Sequence, residues 1–386
     1  MRKIICLLLC FIIVFSLTAC SGNEKPETQE SEQARPSEID ITNGVIKKLE
    51  DIFDTESELH KNIKDMQGSF SVLFNGNKTI SFVSNNKWLQ FNEQKSNLNH
   101  ITNLPYNVVF IQRFENENIG ENLFVYEGTN AGLLSLINAN GEIKYAGIKF
   151  NIMQDIVINK DENNFYILNL TQTGYVAKHY YIESDGKLTL VNEKPMETIS
   201  LPNNKTLDTP GELLCQLTDA KGFSLYFITE NYEIYEIYDV DMNNNTLVTT
   251  SKHPIIKNAE FIFNEFYTEN IKSTMYAKVG DESSIYITNN DYTVTIKLPA
   301  NYKPSDIMYN MYCGNRIVLV LSDKTVYISE PVIEANKNNC KLTEIKTLSD
   351  MVANDQVMQL SATRIPTDTN IYILTNTNEL FVYTIE

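Results

Sequence analysis

Asp239-Val240-Asp241-Met242-Asn243 places three oxygen-bearing side chains on alternate positions, as the opening ligands of a calcium loop require. Such a loop also needs a turn glycine at its sixth position and a bidentate glutamate at its twelfth. Asn244 and Thr250 stand there instead. The stretch follows the strand-like YEIYEIYDV and runs into Asn-rich turn residues, so the expectation is a hairpin turn, with a cation site as the alternative. The 4 histidines, His60, His100, His179 and His253, are scattered. No HExxH, CxxC, GxSxG or GxxxxGK[ST] pattern occurs. Carboxylates are plentiful enough for a glycosidase pair, but partners distant in sequence are found only through a fold. The 21 tyrosines and 18 phenylalanines suit half-buried strands, with stacking platforms for sugars or peptides as the alternative. No catalytic, cofactor-binding or metal residue is assigned, and no cofactor is expected.

Cysteine is more informative. Met1-Arg2-Lys3 precedes the apolar run IICLLLCFIIVFSL, after which the chain turns polar at Cys20. The run falls short of the roughly 20 apolar residues that span a bilayer and has the proportions of a secretory signal. Leu17-Thr18-Ala19-Cys20 resembles the lipobox of bacterial lipoproteins. The resemblance implies a diacylglyceryl group on the Cys20 thiol and cleavage just before it. Each buried CH₂ is worth about 0.8 kcal/mol, so two chains hold where one binds only reversibly. Of the remaining cysteines, Cys6 and Cys10 leave with the signal. Cys215, Cys313 and Cys340 stay, an odd set that completes no disulfide framework, although Cys313–Cys340 is one conceivable bridge.

The formal charge of −17 becomes −19 on cleavage, because Arg2 and Lys3 are lost and no acidic residue is. Such a surface repels phosphate backbones and anionic headgroups, so nucleic acid is not an expected partner. Anchorage then falls to the lipid.

Residues 20–41 read as a flexible tether, since SGNEKPETQESEQARPSE holds too little apolar surface to offset the entropy of ordering. In 42–66, Val45, Leu49, Ile52, Phe53, Leu59, Ile63 and Met66 recur at helical spacing, and Thr55 and Glu58 have capping-box spacing. This predicts one or two short helices packed on the main domain. From residue 67 to 386 the period changes to two. Hairpin-like units such as SFSVLFNGNKTISFV, SIYITNNDYTVTIKL, RIVLVLSDKTVYIS and NIYILTNTNELFVYTI turn near residues 76, 130, 173, 231, 290, 323 and 377. Their mean spacing of about 50 residues suits propeller blades of four strands.

The expected fold is therefore all-β: a β-propeller of seven blades behind residues 1–19 of signal peptide, the tether and a short helical segment. TNTNELFVY and LSDKTVYIS resemble blade runs of the regulator of chromosome condensation type, but most of that family's glycines are missing and no function is carried over. Trp88 is followed by Leu, which offers nothing to a WD-type reading. A ring fastens its last blade to its first, and SFSVLF is the expected partner of the C-terminal strands. The functional expectation is a lipid-anchored binding or scaffolding protein at the extracytoplasmic face of a bacterial cell membrane, with a protein or carbohydrate ligand. The alternatives are a carbohydrate-active enzyme on the same scaffold and a solute-binding lipoprotein.

Overall fold

Alternation of apolar and polar residues is realised as strand along nearly all of the described chain. The computed structural model describes residues 39–41, 44–49, 58–74, 78–92, 95, 97–103, 110–116, 120–127, 132–138, 143–150, 155–159, 163–171, 174–184, 188–202, 205–208, 214–219, 222–249, 256–268, 271–289, 292–332, 338–362 and 370–385. Two α-helices join the strands there, α1, Glu58–Lys64, and α2, Lys346–Ala353, with a short 3-10 helix at Pro304–Asp306.

Blade 1 is formed by strands Met66–Phe74, Lys78–Ser84, Lys87–Asn92 and Asn97–Asn103. Blade 2 follows with Phe110–Asn116, Gly120–Glu127, Gly132–Asn138 and Ile143–Phe150. Blade 3 runs Leu214–Asp219, Gly222–Ile228, Glu233–Asp241 and Thr246–Thr249, and is widened by Thr198–Leu201 and Lys205–Asp208. Blade 4 begins at Ala259–Thr268, blade 5 at Ile307–Cys313 and blade 6 at Val357–Ala362. The first strands of these blades meet in succession, and blade 6 returns to blade 1.

This ring has six blades, which corrects the expectation of seven. A seventh sheet exists, Asp155–Asn159, Asn164–Thr171, Gly174–Ile182 and Leu188–Met196, and it accounts for the turn near residue 173. It does not take a place in the ring. Its first strand packs on Gly222–Ile228, the second strand of blade 3, while Phe110–Asn116 of blade 2 reaches Leu214–Asp219 directly. Turn spacing counts hairpins. It carries no information on whether a sheet's first strand reaches the axis.

The core is a succession of seams between neighbours. Ile285, Ile287, Val294 and Ile296 of blade 4 meet Ile317, Leu319 and Leu321 of blade 5. Tyr166, Leu168, Tyr175 and Ala177 of the additional sheet meet Leu225, Phe227 and Ile237 of blade 3. Phe165 and Ile167 on that sheet's opposite face are buried too.

Closure comes from the N-terminal side, through a different segment than expected. Gly44–Lys48 pairs antiparallel with Leu380–Ile385, from Gly44 opposite Ile385 to Lys48 opposite Phe381. Lys48 Nζ lies 2.5 Å from Glu379 Oε1. Ile39–Ile41 adds a fifth strand to blade 6. SFSVLF lies instead in the first strand of blade 1. Of the expected helical segment 42–66, residues 44–48 are therefore strand, and helix is realised in α1. Residues 50–57 lie outside the described residues, as does the tether before Ile39. Leu59 and Ile63 of α1 are buried with Leu49 in the seam where Ile80, Phe82 and Phe91 of blade 1 meet Tyr372, Leu374 and Val382 of blade 6.

Two outcomes follow. Truncation after residue 379 removes the strand that joins both ends of the chain, and the truncated chain should elute as aggregate in size-exclusion chromatography. Removal of residues 1–38 should leave the melting temperature unchanged. Phe82→Ala should cost about 3–5 kcal/mol in urea denaturation, whereas Tyr238→Ala at an exposed position should stay within about 0.5 kcal/mol.

Candidate interaction surface

Cys20, the one residue assigned a modification, lies outside the described residues, as does His253. The other histidines are not brought together. His60 is in α1, and His100 is exposed on the outer strand of blade 1. His179 Nε2 lies 2.8 Å from Asn164 Oδ1, with its ring 4.9 Å from that of Tyr166. Cys313 and Cys340 are both buried and not disulfide-bonded, the first in the seam of blades 5 and 6 and the second in that of blades 4 and 5. Cys215 stands in the first strand of blade 3, opposite Tyr226.

The Asp239–Asn243 stretch runs from the end of the strand Glu233–Asp241 into a hairpin turn at residues 242–245. Asp239 Oδ1 accepts from Val240 N, and Asp241 Oδ1 accepts from Asn243 N at 2.9 Å and Asn244 N at 3.1 Å. Asn244 Nδ2 donates to Asp241 Oδ2 at 2.7 Å. The carboxylate of Asp241 is committed to holding its own turn, an Asx arrangement. Among the described residues no group of three or more His, Cys, Asp or Glu side chains could hold a metal ion.

What stands out is apolar surface. Eight large hydrophobic side chains are exposed among the described residues, and five of them lie between residues 181 and 238: Tyr181, Leu190, Val191, Leu207 and Tyr238. The first three are on the additional sheet and the last two on blade 3. Val191 and Tyr238, at 54% and 52% relative exposure, sit at register shifts. One lies where His179 pairs with Asn192 and Tyr180 with Leu190, the other where Ile237 pairs with Thr249 and Asp239 with Val248. A bulge leaves one residue unopposed and re-aims its side chain. The signal was present in the sequence as adjacent apolar residues, Leu190-Val191 and Ile237-Tyr238, that break strict alternation.

The two sheets are tied together near this surface. Lys194 Nζ donates to Met242 O at 2.9 Å, and Glu197 N donates to Asn245 O at 2.8 Å. Leu188–Met196 is an edge strand of its sheet and Lys205–Asp208 an edge strand of blade 3, and all four residues of the latter are exposed. Glu193, Lys194 and Pro195 on the first edge, and Lys205 and Asp208 on the second, are residue types that discourage indiscriminate strand pairing. The chemistry this surface offers is apolar contact beside charged edge strands.

Blade 4 holds a polar cluster around Asp281. The Tyr286 hydroxyl donates to Asp281 Oδ2, and Ser283 N and Oγ each lie 3.0 Å from Asp281 Oδ1. Lys278 Nζ sits 3.6 Å from the Tyr286 ring centroid and 6.0 Å from that of Tyr276. Burial pushes the Tyr276 phenol up to about 12. The Tyr286 phenol is raised by burial and then by Asp281, while its hydrogen bond holds the Asp281 carboxyl below the ordinary range. A neutral phenol bonded to an ionised carboxylate is a lock.

No protein-family model matches this chain, and no curated protein matches it. Solved structures do. They include a chain of Kuenenia stuttgartiensis hydrazine synthase at 10% identity, covering 83% of this chain and 96% of that one with a TM-score of 0.40. A chain of a mitotic checkpoint complex matches at 10% identity over 95% of this chain and 98% of that one, with a TM-score of 0.43. The Cps50 (Swd1) beta-propeller domain of Myceliophteria thermophila matches at 10% identity over 83% and 98%, with a TM-score of 0.45. At this identity no activity or partner transfers from any of them.

The blade 4 lock sets a pH signature. A carboxyl whose folded value lies below its unfolded value stabilises fully above the unfolded value and loses that contribution as pH falls through the folded one. For Asp281 this window lies at and below its ordinary 3.8. In Tyr286→Phe the Asp281 carboxyl carbon should titrate by NMR closer to 3.8 than in the parent chain. An unchanged titration would mean that the hydroxyl does not hold the carboxylate.

Proposed function

We propose that this chain is a lipid-anchored extracytoplasmic binding or scaffolding protein, held to the membrane through Cys20, with its propeller engaging a protein partner. The observation that carries the binding part is the gathering of exposed apolar side chains on the additional sheet and blade 3. Isolated exposed apolar residues are ordinary, but their concentration on two sheets joined to each other marks an interaction surface. The anchoring part is supported by the basic start, the short apolar run and Leu17-Thr18-Ala19-Cys20. A solute-binding lipoprotein of the usual build needs lobes in which helices alternate with strands. The described chain is strand with short helices α1 and α2, so that alternative is set aside.

Two experiments test the two parts. Cys20→Ala should move the chain out of the membrane fraction or leave it unprocessed, and fatty-acid labelling of that variant should disappear. Label retained on the variant would sink the anchoring part. For the binding part, a photo-cross-linking residue placed at Val191 in the native host should give a discrete protein adduct. The same residue at exposed Thr293 of blade 4 should give none. Equal adducts at both positions, or none at Val191, would defeat it.

A further inference from the structure

The two faces of blade 1 differ in kind. In its middle strands Ser81 stands opposite Gln90 and Val83 opposite Trp88. Side chains alternate between faces, so Ile80, Phe82, Leu89 and Phe91 share the face that packs on blade 6. Ser81, Trp88 and Gln90 share the other, which faces away from blade 6; the neighbour on that side of blade 1 in the ring is blade 2, whose first strand meets that of blade 1. Their relative exposures are 0%, 0% and 6%. Each carries a buried polar atom with no hydrogen-bond partner among the described residues: Ser81 Oγ, Trp88 Nε1 and Gln90 Nε2.

The three atoms fall on one patch. Directly opposed residues of an antiparallel pair hold their Cβ atoms about 4.5–5.5 Å apart, and the diagonal neighbour is within reach of a long side chain. The indole nitrogen and the amide nitrogen can only donate, while the hydroxyl can do both. Two donors are therefore owed an acceptor, and a third group can take a proton in return. Buried polar groups in folded proteins are satisfied almost without exception.

We propose that this patch is a binding site for an ordered water molecule enclosed between blades 1 and 2. One water meets the whole requirement. Its two lone pairs accept from Trp88 Nε1–H and Gln90 Nε2–H, and one of its protons goes to Ser81 Oγ. Its remaining proton is available to the blade 2 side. Buried waters typically make about three such bonds. A carboxylate would satisfy the same donors, but it would bring a net charge to a face whose side chains here are neutral. Water is the occupant of matching chemistry and no charge.

Trp88 is the only tryptophan in the chain, which makes the site directly readable. The full chain labelled with ¹⁵N in the indole ring gives one indole N–H signal. The expected result is a cross-relaxation peak between that proton and a long-lived water, and its loss in Ser81→Ala/Gln90→Leu together with a blue shift of the Trp emission. If the double variant does not fold, Ser81→Ala alone should weaken the water peak. A peak to a protein side chain in place of water would overturn the proposal, because blade 2 would then supply the acceptor. A saturable shift of the indole signal on adding acetate would overturn it in favour of an anion site. An indole proton with neither a water peak nor a protein acceptor would overturn it as well, since the site would be dry.

Discussion

The antiparallel pairing of Gly44–Lys48 with Leu380–Ile385 is the constraint on which the ring depends. Each blade buries its faces against two neighbours, so the ring is stable only when the last blade has a neighbour on both sides. Without the N-terminal strand, blade 6 would present an open edge, and the seam holding Leu49, Leu59 and Ile63 would lose its cover. Lys48 and Glu379 are 331 positions apart. Loop-closure entropy grows only with the logarithm of length, so each doubling of that separation adds about 0.6 kcal/mol. Distance along the chain is thus cheap. Register is what has to be right, since a slip of one residue would turn every side chain of the closing strand to the wrong face.

The same pairing ties the proposed anchor to the fold. The chain from Cys20 to Glu38 enters blade 6 at Ile39–Ile41, the strand outside the closing one. At full extension 19 residues span at most about 65 Å, which under the proposed anchoring bounds how far the propeller stands from the membrane. Under the same proposal the chain's net negative charge would oppose contact with anionic headgroups.

Much of the fold could be read in advance because hairpins are local. Alternating runs such as RIVLVL and VYIS became Arg316–Leu321 and Val326–Ser329, paired as read. Asparagine carried a large part of that signal. Among the described residues nine non-glycine positions have positive φ and six of them are asparagines; Asn85-Asn86 form a two-residue turn with φ of 50° and 58°. Asparagine tolerates the left-handed region better than most residues, so it serves here where other chains use glycine. What could not be read was relational. Val45 and Leu49 fit a helical stripe by spacing, yet the pairing partner waiting at Leu380–Ile385 overrides that periodicity and makes Gly44–Lys48 a strand. The polar face of blade 1 was equally hidden, because Ser81, Trp88 and Gln90 become neighbours only through their register.

The count of blades and the apolar surface share one cause. The additional sheet has buried side chains on both faces of its inner strands, with Tyr166 and Leu168 on one and Phe165 and Ile167 on the other. A strand buried on both faces accommodates consecutive apolar residues without conflict. Its edge strand does not have that cover. Leu188–Met196 has a strand neighbour on one side only, and four consecutive residues in it are exposed. There the adjacent pair Leu190-Val191 has to leave at least one member in solvent, and the bulge opposite His179 and Tyr180 leaves both exposed. Blade 3 repeats the arrangement with Ile237 and Tyr238, where Ile237 is buried and the bulged Tyr238 is turned out. The exposed apolar surface thus arises where the repeat departs from its own rule. Six blades alone would satisfy the ring, and the sheet outside it supplies an apolar edge that regular repetition would have covered.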